Sequence, residues 1–175
     1  MTNDQAIADK IRLMRDHGRG RNNEIELWGF NCRMDNLQAA ILDLKLKKVP
    51  EWINRRRKTA SIYHKGLSGI EELLLPSLPV EDGPFFDVFQ NYEIEAERRD
   101  ELRSHLSDKG IETMITWGGK GVHQFKALAF TKVKLPRTEE LFKKVLMLPM
   151  HPDLTDEQVG YVVNDVRDFY GRSKS

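Results

Sequence analysis

Two short stretches of the sequence combine residue types that could bind an anion or a sugar. In the first stretch, Asn31 and Arg33 stand two positions apart in a segment expected to be extended. Alternate residues of an extended chain project to the same side, so an amide and a guanidinium could converge on one phosphate. The equally simple alternative is that Asn31 stabilises the turn while Arg33 pairs with an acid. Cys32 would face the opposite way, as a buried and unreactive thiol.

The second stretch is a glycine-rich loop that follows a predicted strand and carries Trp117, Lys120 and His123. A tryptophan could stack on a flat ring or sugar face, and a histidine could hydrogen-bond a phosphate or a hydroxyl. A Schiff base on Lys120 would need a desolvated amine, which an exposed loop does not provide. The competing interpretation is that the tryptophan is buried and that the histidine forms its hydrogen bonds inside the protein.

Other patterns point away from several common functions. The five histidines show no metal-ligand spacing, so the sequence predicts no metal site. The basic run 55–58 could contact nucleic acid, but a solvated helix face with packed stems is the better interpretation. With 28 Lys+Arg against 27 Asp+Glu, the chain carries no general field for nucleic acid or anionic membrane.

The amino-acid composition limits the classes of protein to which this chain can belong. The 175 residues are 39% hydrophobic, which is typical of a soluble globular chain with a real core. No apolar run approaches the roughly 18 residues of a membrane-spanning helix. The segment 1–10 contains acids and no apolar core, unlike a signal peptide. A single cysteine excludes an internal disulfide and favours a cytoplasmic location.

Hydrophobic periodicity and capping residues predict the elements that position these side chains. Helices are expected to begin near Thr2 and Asp35, and a capping box at 155–158 begins the last one. The remaining predicted elements are helices at 50–66, 97–109 and 138–145 and strands at 73–75, 88–94, 111–116 and 146–150. This order predicts a small sheet covered by helices, in the α/β or α+β class.

Four sequence stretches together carry a resemblance to one protein family. They are IRLMRDHGR, GFNCRMDNLQAAIL, HQF and LMLPMHPDLTDEQV, in this order. The chain resembles, over residues 3–170, the C-terminal part of the DegT/DnrJ/EryC1/StrS family of fold-type I, pyridoxal-phosphate-dependent sugar aminotransferases.

The resemblance implies a fold and a domain organisation. Segment 1–34 would be the tail of the large cofactor domain with a loop that reaches the cofactor, and 35–69 would be connecting helices. Segment 70–175 would be the C-terminal small domain, with a small, mainly antiparallel sheet covered by helices. The lysine that forms the Schiff base, the aromatic residue that stacks on the cofactor ring and the acid at the pyridine nitrogen would all lie upstream of residue 1. The cofactor site in this chain would therefore be incomplete.

The resemblance also implies an activity and binding residues. Asn31 matches the asparagine that reaches across a dimer to the cofactor phosphate, and Arg33 matches its neighbouring arginine. His123 matches a histidine near the nucleotide sugar, whereas many relatives differ at 117–120, so Trp117 and Lys120 are weaker candidates. The implied reaction transfers an amino group, usually from glutamate, to a nucleotide-linked keto-sugar in deoxyamino-sugar or surface-polysaccharide synthesis.

Several alternatives remain open within and outside this family. The related pyridoxal-phosphate sugar dehydratases replace the lysine with a histidine, at a position outside these 175 residues. A non-catalytic binding or oligomerisation module would pair with a complete relative. The partners expected from the resemblance are a second copy of the chain or a complementing N-terminal half, with no nucleic acid and no membrane.

Overall fold

The computed structural model describes residues 2–80, 83, 85–130 and 132–171. It divides into two compact units, Met1–Val49 and Pro50–Ser175, each described here by itself. The division predicted from the resemblance, at 34/35 and 69/70, stays a prediction.

The first unit contains two helices joined by a loop. Helix α1 is Gln5–Arg15 and helix α2 is Asn36–Leu46. The expected start of α1 at Thr2 is wrong by two residues, because Asp4 caps the helix by accepting hydrogen bonds from Ala6 N and Ile7 N. Helix α2 begins as predicted after Asp35, whose own N–H donates to the Gln38 side chain. In the intervening loop, single β-bridges join Asp16 to Asn31 and Arg19 to Ile25.

The described residues of the second unit form a three-stranded antiparallel sheet and four α-helices. Its elements are helix α3 (Val49–Leu67, beginning at the unit boundary), β1 (Leu73–Leu74), β2 (Tyr92–Ala96), α4 (Arg99–Asp108), α5 (Pro136–Lys144), β3 (Val145–Leu148) and α6 (Asp156–Gly171). The strand order is β1-β2-β3. Leu73 pairs with Ala96 and Tyr92 with Leu148. The expected antiparallel sheet covered by helices is therefore confirmed.

The central strand lies further along the chain than its predicted position, 88–94. Phe89 adopts a left-handed backbone conformation, with φ of 51°, and its N–H donates to the Asp87 carboxylate. This turn breaks the extended chain, so β2 begins only at Tyr92. From there Tyr92, Ile94 and Ala96 are buried alternately, as the period of a strand requires.

The predicted strand 111–116 is wrong. Met114 forms one isolated bridge with Met147, with N–H···O distances of 2.8 and 3.2 Å. A short 3₁₀ turn, Thr116–Gly118, follows immediately. Trp117, Gly118 and Gly119 all have φ between 52° and 75°, a conformation that cannot continue a β-ladder. The chain therefore leaves the sheet edge after a single pairing.

Helices α3, α4 and α6 contribute most of the core around the sheet. Fully buried side chains include Tyr63 and Leu67 from α3, Leu102 and Leu106 from α4, and Val159 and Val166 from α6. The buried Tyr63 hydroxyl donates a hydrogen bond to Pro149 O over 2.9 Å. The core thus encloses one face of each helix, as amphipathic periodicity predicts.

The three arginines of the basic run 55–58 donate to backbone carbonyls of the protein, whereas Lys58 is exposed and pairs with the Asp156 carboxylate. Arg56 donates to Gln90 O at 2.8 Å and to Met150 O at 3.2 Å, while Arg57 donates to Asp87 O and Val80 O at 2.7 Å. Arg55 donates to Leu154 O. The expectation of a solvated face is wrong for these three arginines, because loop carbonyls that lack strand partners accept their N–H groups.

Among the residues with described positions, none of the helices has both the length and the apolar character needed to cross a membrane.

Candidate functional site

Asn31 and Arg33 lie together, as their spacing predicts. The Nε–H of Arg33 donates to the amide oxygen of Asn31 over 3.3 Å. The guanidinium also pairs with the Asp16 carboxylate, with 3.2 Å between Nη1 and Oδ1. The two side chains are therefore close together, and the arginine has an acidic partner; that they bind one anion stays a prediction.

Backbone pairing between the end of α1 and the loop positions this pair. Asp16 and Asn31 are bridged, and the Cys32 N–H donates to Arg15 O at 2.8 Å. Asn31 and Arg33 are both exposed. The Arg33–Asn31 bond uses the amide oxygen, so the N–H₂ group of Asn31 is not consumed by it. An exposed amide donor beside a guanidinium is a donor set that suits a phosphate.

Cys32 is exposed, so the expectation of a buried thiol is wrong. Its side chain lines a shallow groove of about 530 Å³ in the first unit. The other lining residues are Arg15, Arg33, Met34, Gln38, Ile41 and Leu42. Cys32 and Arg33 thus line one groove, and the prediction that Cys32 faces away from its neighbours is not supported.

The second predicted group of site residues lies in the loop before α5. His123 is 5% exposed at its side chain, and its Nε2 atom lies 3.0 Å from Glu139 Oε1. Its Nδ1 atom is shielded from solvent, without a hydrogen-bond partner in the described part of the chain. A Cβ on Gly121 would lie 2.8 and 2.9 Å from two ring atoms. The ring therefore packs directly on the glycine backbone.

Glu139 is the partner that sequence reasoning did not find. Its carboxylate accepts from the His123 ring and also from Leu135 N, at 3.3 Å, where α5 begins. These two bonds, with the bond from His123 the stronger influence, hold the pKa of the Glu139 carboxyl below its usual value. Since an ionised carboxylate only accepts, Nε2 carries the proton in this pair. The sequence feature that could have indicated this contact is an acid in the first turn of the helix that follows the histidine-bearing loop.

Trp117 and Lys120 are both exposed on the same loop. The tryptophan is 73% exposed, so the expectation of a buried Trp fails and a stacking surface is available. The segment 117–137 contains four lysines and Arg137 but no Asp or Glu, a concentration that the near-zero net charge conceals. This part of the second unit is suited to an anionic ligand.

The structure thus places the predicted residues in two groups. Asn31 and Arg33 belong to the first unit and are in contact, whereas Trp117, Lys120 and His123 share one loop of the second unit. The first group is an exposed amide beside a guanidinium, and the second is a basic loop with an exposed tryptophan. A small antiparallel sheet covered by helices is a fold shared with fold-type I sugar aminotransferases, over about half of their length.

The chain belongs to the DegT/DnrJ/EryC1/StrS aminotransferase family, whose sequence profile matches residues 1–167. It is 36% identical over 97% of its length to a "pleiotropic regulatory protein" of Geobacillus stearothermophilus, of which it covers 46%. It is 35% identical over 98% of its length to the Streptomyces venezuelae dTDP-3-amino-3,4,6-trideoxy-alpha-D-glucose transaminase, of which it covers 45%.

A solved structure gives the same result at the level of the fold. The S. venezuelae protein DesV, crystallised in complex with a ketimine intermediate, aligns with a TM-score of 0.86 and 34% identity. The alignment covers 97% of this chain and 46% of DesV. The chain therefore spans about half the length of the relatives it matches.

Proposed function

We propose that these 175 residues are the C-terminal part of a pyridoxal-phosphate-dependent aminotransferase that acts on a nucleotide-linked keto-sugar. The family match over residues 1–167 carries this proposal. We place the lysine that binds the cofactor covalently outside these residues, and we propose glutamate as the amino donor. The product would be an amino sugar for deoxyamino-sugar or surface-polysaccharide synthesis.

Asn31 and Arg33 are the residues proposed to hold the cofactor, through its phosphate. Pyridoxal phosphate, when bound, supplies an electron sink for amino transfer. An exposed amide N–H₂ and a guanidinium 3.3 Å from the amide oxygen form a compact set of donors. The Asp16 carboxylate orients the guanidinium through the 3.2 Å pair. This set fits a phosphate, and the chain's part in cofactor binding would be to anchor that end.

The loop 117–125 is the proposed contact for the sugar nucleotide. Its exposed Trp117 can stack on a base or a sugar face, and Lys120 can neutralise a phosphate. His123 is held by Glu139 and packs on Gly121, so it determines the shape of the loop as well as offering a polar edge. The basic composition of 117–137 favours an anionic substrate over a neutral one.

We further propose that the site is completed by another chain or another part of the same protein. In a homodimer, Asn31 and Arg33 would reach the cofactor of the partner subunit. A complementing N-terminal half is the other arrangement consistent with the proposal. A cytoplasmic location belongs to the same proposal.

Two rival functions use the same residues differently. A sugar dehydratase would carry a histidine at the position of the upstream lysine, so the sequence of that segment separates it from an aminotransferase. A non-catalytic module would pair with a complete relative. The name of the G. stearothermophilus relative, a pleiotropic regulatory protein, is the observation that favours this alternative. A pull-down with a complete relative tests it.

The decisive experiment begins with the intact mass of the protein as its own cells produce it. We expect a mass well above 20.3 kDa. We also expect visible absorption that borohydride abolishes, and glutamate-dependent amination of a nucleotide-linked keto-sugar. The 175-residue chain alone should show no such absorption. A stoichiometric, borohydride-sensitive band in that chain would contradict the position assigned to the lysine, and a larger protein without amination activity would contradict the proposed reaction.

A further inference from the structure

Helices α4 and α6 bring together three side chains that belong to neither group of predicted site residues. His105 projects from α4, while Asp165 and Asp168 project from α6. One ligand atom from each residue lies within 4.8 Å of the other two. Asp165 and Asp168 are three positions apart, so both carboxylates lie on the same helix face, opposite the imidazole.

Asp165 and one ring nitrogen of His105 are largely removed from solvent. Asp165 is only 9% exposed. The Nε2 atom of His105 is fully shielded, and no hydrogen-bond partner for it exists among residues of described position. A shielded imidazole nitrogen without a hydrogen-bond partner is costly unless a proton donor or a cation satisfies it. A cation held between the helices is one group that would meet this need of His105.

The ring of His105 is also held in place. Its centroid lies 5.5 Å from that of Phe169 on α6, with the planes inclined at 45°. This contact orients the imidazole toward the face of α6 that carries the two aspartates. A ligand set fixed on two packed helices loses little conformational freedom when it binds an ion.

We propose that His105, Asp165 and Asp168 form a binding site for a divalent transition-metal ion of the Zn²⁺ type. One imidazole nitrogen and two carboxylate oxygens are a donor set that Zn²⁺ accepts, with water as the fourth ligand. The ligand atoms of tetrahedral zinc lie about 3.4 Å apart. Side-chain movements of about 1 Å would bring the three ligand atoms to this separation. Mg²⁺ prefers oxygen ligands alone and is a poor match for the imidazole.

The bound ion would link α4 to α6 within the second unit. Because a preformed ligand set exists only in the folded chain, the ion would bind the native state and raise its stability. The predicted activity does not require this site, so its test is independent of the proposed aminotransferase function.

The test is calorimetric titration of the chelator-treated full chain with ZnCl₂ in a phosphate-free buffer at pH 7. We expect one saturable equivalent of Zn²⁺ per chain and a higher melting temperature on addition of the ion. Both His105→Gln and Asp165→Asn should weaken Zn²⁺ binding at least about tenfold. The matched control is His151→Gln, which removes an exposed histidine 4.0 Å from a single carboxylate and should leave binding unchanged.

Three outcomes would overturn the proposal. They are the absence of saturable Zn²⁺ binding, equal Zn²⁺ affinity in the chain and in both variants, and preferential binding of Mg²⁺. Circular dichroism without metal establishes that each variant is folded. Should either fail to fold, Asp168→Asn takes its place, with the same expected loss of Zn²⁺ affinity.

Discussion

The imidazole of His123 lies with its Nε2 atom 3.0 Å from the Oε1 atom of Glu139, sixteen residues further along the chain. The same carboxylate accepts the N–H of Leu135 at the start of α5. One acid therefore ties the basic loop to the helix that follows it. The position of His123 in the proposed substrate site depends on this link.

Replacing Glu139 with Gln should reduce stability at neutral pH but not in acid. The bond from His123, and then that from Leu135, lowers the pKa of the Glu139 carboxyl from 4.5. A carboxyl with a lowered folded pKa adds stability above its unfolded pKa, and this contribution is lost as the pH falls through the folded value. The urea midpoints of the two proteins should differ at pH 7 and converge as the pH falls below 4.5.

The control for this comparison is Glu140→Gln. Glu140 is the next residue and forms an exposed pair with Lys143 on its own helix, so its replacement should change the midpoint much less. A Glu139→Gln midpoint that differed from the native one equally at both pH values would contradict the assigned hydrogen bond.

Replacing Asn31 with Ala in the complete protein should weaken retention of pyridoxal phosphate. A hydrogen bond to a charged group contributes about 1.5–3 kcal/mol, so the cofactor dissociation constant should rise roughly ten- to a hundredfold. Dialysis followed by measurement of bound cofactor provides the readout. Asn22→Ala, an exposed asparagine of the same loop, is the matched control. Unchanged cofactor affinity in Asn31→Ala would refute the phosphate assignment.

Replacing His123 with Ala in the complete protein should raise the KM for the sugar nucleotide more than the KM for glutamate. Loss of one polar contact and of the loop's anchor on Glu139 corresponds to a roughly two- to tenfold increase. Steady-state kinetics with each substrate varied in turn measure the split. His151→Ala, which removes an exposed histidine, should change neither KM. Equal increases in both would argue against a substrate-side role.

Two glycines on packed helices should respond to alanine in opposite directions. A Cβ on Gly66 of α3 would lie 2.5 Å from Val163 Cγ1 of α6, so Gly66→Ala should cost about 1–3 kcal/mol of unfolding free energy. A Cβ on Gly160 of α6 would meet nothing within 4 Å, so Gly160→Ala should gain about 1 kcal/mol. Urea unfolding of both variants tests this, and a stabilising Gly66→Ala would show that α3 and α6 are less closely packed.

Local signals predicted much of the secondary structure. The Thr155–Gln158 capping box is present as both of its hydrogen bonds, at 2.9 and 3.1 Å. The valines at helical spacing after it are buried as predicted. Such signals succeed because the interacting groups lie within one helical turn of each other.

Elements that depend on neighbours were predicted less well. The segment 111–116 has the composition of a strand, yet it makes one bridge and then turns. Whether an apolar run becomes a strand depends on a partner edge, which single-sequence periodicity does not contain. The same limit applies to Cys32, whose exposure depends on what packs against the loop.

The sequence by itself determined the family and the class of fold and indicated that Asn31 and Arg33 lie close together, because motifs and short spacings are properties of neighbouring residues. Only the tertiary structure decided which groups meet across long separations. Arg56 with Met150 O, His123 with Glu139, and His105 with Asp165 are examples separated by 94, 16 and 60 residues. Their physical cause is the packing of helices and loops around the core, which no local spacing encodes.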